Sequence, residues 1–222
     1  MIHIQGLRFA YRVGNETLQL DDLSVAHNGR LLVLGPSGCG KTTLLHLMAG
    51  LLSPSAGSVL VDGQNLAQLS SSTRDQFRGK NIGVVLQQFH LLPALTAIQN
   101  LLVAQSMAGL PVDAAAARHI LASLGVADRA QTYPYELSVG QQQRVAIARA
   151  LVNSPKVLLA DEPTSNLDDE ACAAVIDLLL ESTERLGSTL IIATHDSRLK
   201  SRIDKQLALP RTATASAREA VV

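Results

Sequence analysis

The chain carries no excess charge of either sign: 19 Lys and Arg balance 19 Asp and Glu. That excludes the basic footprint by which proteins grip nucleic acid and the polybasic patch by which they cling to anionic lipid. Long apolar runs are missing as well. Runs such as those at 157–160 and 190–193 fall far short of the ~20 residues that a membrane-spanning helix needs. The opening Met1-Ile2-His3-Ile4 lacks the charged flank and apolar stretch of a signal peptide. Cysteine is scarce: Cys39 and Cys172 stand outside any metal-like spacing and read as free thiols of a reducing cytoplasm. His3, His27, His46, His90 and His119 likewise have no partner at metal spacing. No internal repeat and no heptad run is present. What remains is 222 residues, 47% apolar and 17% charged, enough for one globular unit with a sizeable core and room for a subdomain.

Short apolar runs followed by helical patterns recur along the chain, the pattern of an α/β protein with a mostly parallel sheet covered by helices. Leu31-Leu32-Val33-Leu34 runs into a glycine loop, and a helix begins near Lys41. Residues 82–86, 157–160 and 190–193 are further strands, too continuously apolar to face water on one side. Ahead of them, 2–9, 18–25 and 58–61 read as an antiparallel β layer, with a turn at 53–57. Between 88 and 152 the strand signal disappears, and 97–107, 114–124 and 141–151 read as helices inserted between two core strands. Residues 211–222, small and polar without periodicity, are expected to form a disordered tail.

Three segments carry chemistry. Gly35-Pro36-Ser37-Gly38-Cys39-Gly40-Lys41-Thr42 has the spacing of a phosphate loop. Its glycines let successive backbone N–H groups turn inward on a phosphate, and the following helix adds its positive end. Lys41 is placed to reach the β- and γ-phosphates, Thr42 to offer a hydroxyl to Mg²⁺, and Thr43 to touch the α-phosphate. Asp161-Glu162 ends an apolar strand, which puts a Mg²⁺-holding carboxylate and a general base beside that loop. In Leu137-Ser138-Val139-Gly140-Gln141, Ser138 and Gln141 form a capping box at the head of a helix. A helix start presents N–H groups and a positive dipole end to an anion.

Together with the order of these segments, the chain from residue 1 to about 209 resembles the ABC ATPases. The resemblance implies a P-loop NTPase core at 1–87 and 154–209 with a signature-bearing helical subdomain at 88–153. It implies that ATP is bound and hydrolysed with Mg²⁺, and that two copies dimerise head to tail with each ATP between one phosphate loop and the other copy's signature. On that basis Gln87 matches the glutamine that senses Mg²⁺ and the attacking water, and Glu162 is the base. His195 matches the switch histidine at the γ-phosphate, and Tyr11 the aromatic ring that stacks on adenine. Ser138, Gly140 and Gln141 join the nucleotide-binding set, as does Asp168 in the dimer-crossing Ser165-Asn166-Leu167-Asp168. Val139 departs from the pattern where a glycine is usual. A β-branched residue there forbids positive φ and is expected to crowd the partner's ATP. Alkylation of Cys39, inside the loop, is expected to block nucleotide binding by bulk.

The stretch Gln88-Phe89-His90-Leu91-Leu92-Pro93 and the run from Leu159 to Asp168 are most similar to the lipoprotein-releasing and macrolide-efflux branch. There the ATPase works on the cytoplasmic face of the cell membrane with an integral membrane permease on a separate chain. The apolar stretch, with Phe89 and Leu91, is expected to receive a short helix of that permease. The rival class is a soluble ABC-type ATPase acting on nucleic acid or ribosomes, which would need coiled-coil arms, a second cassette or basic surfaces that this chain lacks.

Overall fold

The computed structural model describes residues 1–12, 15–165 and 167–210, with the side chains of 12 and 15–17 also left undescribed. The tail expected at 211–222 therefore lies outside the described residues. In chain order the strands are β1 (Ile2–Arg12), β2 (Asn15–Leu20), β3 (Leu23–Val25), β4 (Arg30–Leu34), β5 (Ala56–Val61), β6 (Gln64–Asn65), β7 (Ile82–Val85), β8 (Val157–Asp161), β9 (Thr189–Thr194) and β10 (Gln206–Ala208). The helices are α1 (Lys41–Met48), α2 (Ser71–Asn81), α3 (Ala97–Met107), α4 (Ala114–Ser123), α5 (Val139–Leu151) and α6 (Asp169–Leu186).

These form two sheets. One is parallel throughout, in the order β10-β4-β9-β8-β7. The other is antiparallel and organised on β1, which pairs with β2, β3 and β5, while β6 extends β5. Side chains of a strand alternate between faces, so each parallel strand feeds two cores. Leu31, Val33, Leu159 and Ile191 pack with α1 and the antiparallel sheet. Leu32, Leu158, Leu190 and Ile192 pack with residues of α3, α4, α5 and α6. This explains the continuous apolar runs: strands covered on both sides have no polar face. Helix α1 contacts β5, β8 and β9 and so lies between the sheets, which leaves its first turn fixed at the carboxyl end of β4. That is where an open α/β sheet places its ligands.

Several boundaries differ from the sequence reading. The 18–25 strand is two strands broken at Asp21-Asp22, and Ala56 and Gly57 join β5 rather than the preceding turn. The helix expected from 141 starts at Val139, because Ser138 is its N-cap and Gln141 its third residue. Helix α2 escapes a periodicity reading because it buries none of its residues fully. Its start is nonetheless written locally, since the Ser70 hydroxyl accepts the Thr73 N–H at 3.2 Å.

Candidate functional site

The residues of the phosphate loop converge on a cavity of about 200 Å³ lined by Ser37, Gly38, Gly40, Lys41, Thr42, Thr43, Gln87, Glu162 and His195. Four segments far apart in the sequence thus meet around one space. Gly40, the N-cap of α1, has φ 101°, a backbone state that a side chain would strain. Gly35 is demanded by packing: a Cβ there would lie 2.4 Å from Cys39 Sγ and 2.8 Å from the Leu209 carbonyl oxygen.

Lys41 is buried, and its ammonium donates to the Gly35 and Pro36 carbonyls at 2.8 and 3.2 Å. It also pairs with Glu162 Oε1 at 3.1 Å. Those three acceptors match the three donors of an ammonium group. Glu162 Oε2 accepts from Thr194 Oγ1 at 2.9 Å and lies 3.0 Å from His195 Nδ1. Glu162 is one of five non-glycine residues with positive φ among those described, at 48°, held there by its N–H to the Ala193 carbonyl at 2.8 Å. Such a conformation costs free energy and turns the carboxylate off the strand axis into the cavity. Burial is the largest single influence on this carboxyl and pushes its pKa up. Hydrogen bonds from His195, Thr194 and Lys41 together outweigh it, so Glu162 sits below the ordinary value. It is ionised, as a base must be.

Asp161 behaves oppositely. Burial raises its pKa, against the hydrogen bond from Thr42, whose Oγ1 donates to Oδ2 at 2.7 Å. Its other oxygen, Oδ1, is buried and has no partner. A buried, orphaned carboxylate oxygen beside a hydroxyl is costly unless something polar or cationic meets it. Among the described residues no cluster of three or more His, Cys, Asp or Glu is present, so any metal here would draw on hydroxyl and phosphate oxygens too.

Tyr11 is 62% exposed, yet its hydroxyl lies 3.1 Å from Thr43 Oγ1 and its ring meets Phe9 edge-on at 4.8 Å. The ring is thereby steadied beside the loop with a face open to solvent, as adenine stacking requires. Ser138, Gly140 and Gln141 do not line this cavity. They lie at the head of α5, where the Ser138 hydroxyl accepts the Gln141 N–H at 3.3 Å and Gln141 Oε1 accepts the Ser138 N–H at 3.0 Å. The first intrahelical bond runs from Gln142 N–H to the Ser138 carbonyl, which leaves the N–H groups of Val139 and Gly140 ahead of it. Asp168 does not reach the cavity either: it caps α6, accepting the Ala171 N–H at 2.8 Å.

Two expectations are corrected. Val139 is the first helical residue and has no positive φ, and Gly140 has none either, so the conformational objection to valine fails. Its side chain stands 65% exposed and lines a space shared with Gln87 and Glu162. Cys39 points into the core at 2% exposure instead of into the phosphate space. Incubated natively with a thiol reagent, the chain is therefore expected to keep its nucleotide binding and gain no adduct, because Cys172 is buried too. Two adducts are expected in denaturant. Mass spectrometry counts them, and rapid native modification of Cys39 with loss of binding would refute this placement.

Sequence reasoning missed three contributors. Thr194 binds Glu162 directly, and Gln143, on the signature helix, donates to the Pro163 carbonyl at 2.5 Å, one residue beyond Glu162. Arg149, near the end of the same helix, donates to the Phe89 and His90 carbonyls at 2.8 and 2.6 Å. Neutral or generic residues of this kind carry no signal until the tertiary fold sets them against a site.

Comparison with known proteins agrees with this geometry. A family model described as ABC transporter matches residues 18–165. The lipoprotein-releasing system ATP-binding protein LolD of Shewanella oneidensis is 41% identical over 214 residues, covering 94% of this chain and 93% of that protein. Among solved structures, the dimeric post-hydrolysis state of the ATP-binding cassette MJ0796, bound to ADP and Pi, superposes with a TM-score of 0.85 at 31% identity and covers 94% of each chain. CbiO1 of Clostridium perfringens, part of the ABC transporter complex cbiONQ, gives 0.84 at 30% identity, covering 94% of this chain and 84% of that one.

Proposed function

Since the chain belongs to the ABC transporter family, we propose that it is the ATP-binding and ATP-hydrolysing subunit of a lipoprotein-releasing type of system. Two copies would work head to tail on an integral membrane permease carried by separate chains. The observation that carries this reading is the split site. Lys41, Glu162 and His195 share one cavity, while Ser138 and Gly140 at the exposed, capped head of α5 do not line it. A second copy is what brings such a helix start to the γ-phosphate.

In this reading Tyr11 stacks on adenine, and the backbone from Gly35 to Thr43, including Pro36, Ser37, Gly38, Cys39 and Gly40, wraps the phosphates. Lys41 exchanges Glu162 for the γ-phosphate, which frees the carboxylate to orient and deprotonate the attacking water. Gln87 lines the same space and holds that water from the other side. His195, with a side chain 57% exposed at the cavity rim, steadies the transferring phosphoryl. Ser138, whose oxygen accepts the Gln141 N–H, retains its own proton for the partner's γ-phosphate. The Val139 and Gly140 N–H groups join it there. Asp168 sits in the segment that faces the other copy.

The site also suits Mg²⁺. Asp161 Oδ1 is a buried oxygen without a partner, and the Thr42 hydroxyl and Gln87 amide complete a hard-oxygen set. Bound there with ATP, the ion would neutralise charge developing between the β- and γ-phosphates.

Among the described residues no helix is long and apolar enough to cross a membrane, so attachment has to come through the permease. The segment after Gln87 is the place for it. Arg149 holds the carbonyls of Phe89 and His90, Leu91 leans on the core, Leu92 is exposed, and Arg149 and the exposed Met107 line a groove of about 320 Å³ between α2, β7, α3 and α5. We place the chain on the cytoplasmic face of the cell membrane, with 1–87 and 154–209 as catalytic core, 88–153 as the moving subdomain, and no nucleic-acid partner.

A mild-detergent pull-down of the tagged Glu162→Gln chain with Mg-ATP, read by mass spectrometry, tests the assignment. A stoichiometric integral membrane protein is expected. Recovery of ribosomal or DNA-repair proteins alone would overturn it.

A further inference from the structure

Arg198 lies on a surface turn three residues beyond His195, with 39% of its side chain exposed, and yet its guanidinium makes the densest set of polar contacts among the described side chains. Its Nε donates to Asp196 Oδ1 and Oδ2 at 2.9 and 3.0 Å, and one terminal nitrogen to Oδ2 at 2.7 Å. The other terminal nitrogen donates to Asp169 Oδ1 at 2.5 Å, and both approach the Leu167 carbonyl at 3.5 and 3.4 Å. Asp196 in turn accepts from the Thr164 hydroxyl at 3.1 Å, and its N–H donates to Thr194 Oγ1 at 3.0 Å. Thr194 is the residue whose hydroxyl binds Glu162.

The pair with Asp169, itself 93% exposed, contributes little to stability, but Asp196 is only 12% exposed, so the fork steadies that carboxylate as well as reaching Asp169 and Leu167. What a rigid planar fork does well is fix the relative position of its acceptors. Here those acceptors lie on two different loops. One follows β9 and carries His195; the other follows β8 and carries Leu167 and Asp168.

We infer that Arg198 is a positioning residue that locks the His195 loop to Leu167 and Asp169 at the start of α6, so that engagement of that stretch by the second copy is felt at Glu162 through Asp196 and Thr194. The inference rests on the function proposed above. Arg198 does not line the phosphate cavity. It sets the alignment of groups that do, and it does so only while its fork spans both loops.

The test uses the complete complex with its membrane partner and compares wild type, Arg198→Ala and Arg198→Lys. Arg198→Ala is expected to lower kcat by about 10-fold while KM for ATP moves less than about 2-fold, since misalignment penalises chemistry more than binding. Because Asp196 is only 12% exposed, Arg198→Ala also strands a carboxylate and lowers the melting temperature of the isolated chain, so turnover is compared at a temperature well below both transitions. Arg198→Lys, with charge but no fork, should fall between the two. A kcat within 2-fold of wild type in Arg198→Ala, a full restoration by lysine, or a loss of kcat that only follows a lowered melting temperature would each overturn the inference. A wild-type complex without ATPase activity would instead overturn the proposed function, and this inference with it.

Discussion

Replacing Glu162 by glutamine is expected to lower ATP hydrolysis by about 10²–10⁴-fold, the contribution of a positioned base, while ATP is still bound. The reasoning starts from the nucleotide-free geometry. Glu162 Oε1 pairs with Lys41 and Oε2 faces Thr194 and His195, so the carboxylate is held, ionised and aimed, but its charge is spent on the lysine. When a γ-phosphate arrives it competes for Lys41. In Glu162→Gln the competing charge has gone, so the phosphate meets less opposition and no base follows. The ATP-bound pair of copies should then accumulate, visible as a nucleotide-dependent doubling of mass in light scattering. The nucleotide-free variant should in turn be less stable than wild type, because a buried ammonium has lost its counter-charge. Saturating ATP should narrow that gap, since the γ-phosphate takes the place of the lost counter-charge while ligand at 100 times Kd adds about 2.7 kcal/mol to each state that binds it. Wild-type turnover in Glu162→Gln would show that another group activates the water.

Much of this site is legible along the chain, and the reason is local. A phosphate loop is a contiguous string whose glycines answer to backbone conformation, and the capping box at Ser138 and Gln141 is a four-residue motif that the fold reproduces bond for bond. Buried parallel strands announce themselves because both of their faces are covered. Helix α6, which the sequence analysis did not place, is nonetheless written locally, from the Asp168 cap through Val175, Ile176 and Leu179 to Gly187 in the left-handed region. What sequence withholds is relational. Thr42 and Asp161 meet across 119 positions, and the Arg198 fork joins loops whose proximity depends on β8 and β9 being neighbours in the sheet. Cys39 shows the limit within a motif. Its membership of the loop says nothing of which way its sulfur points, and packing against Gly35 turns it inward. Val139 shows the opposite error: the backbone cost assigned to it vanishes once the residue is seen to open a helix rather than to sit in a turn.

The second large effect is expected at Lys41. Lys41→Ala should abolish measurable ATP binding, because among the described residues this ammonium is the only lysine or arginine charge lining the phosphate cavity. It should also destabilise the nucleotide-free chain by about 3–5 kcal/mol, the usual cost of removing one partner of a buried pair. Three groups lose their donor at once: the Gly35 and Pro36 carbonyls and Glu162 Oε1. The two carbonyls can turn to water as the loop relaxes, whereas Glu162 is pinned by its positive φ and by Thr194. The stability loss should therefore trace mainly to the stranded carboxylate, and a double-mutant cycle separates the terms. Glu162→Gln added to Lys41→Ala should recover stability, with a coupling energy of about 0.5–3 kcal/mol for groups in direct contact. Denaturant unfolding without nucleotide measures all four corners of the cycle. Additive losses would mean that the lysine is held by the loop carbonyls alone, and that binding ATP does not have to break an internal ion pair before hydrolysis begins.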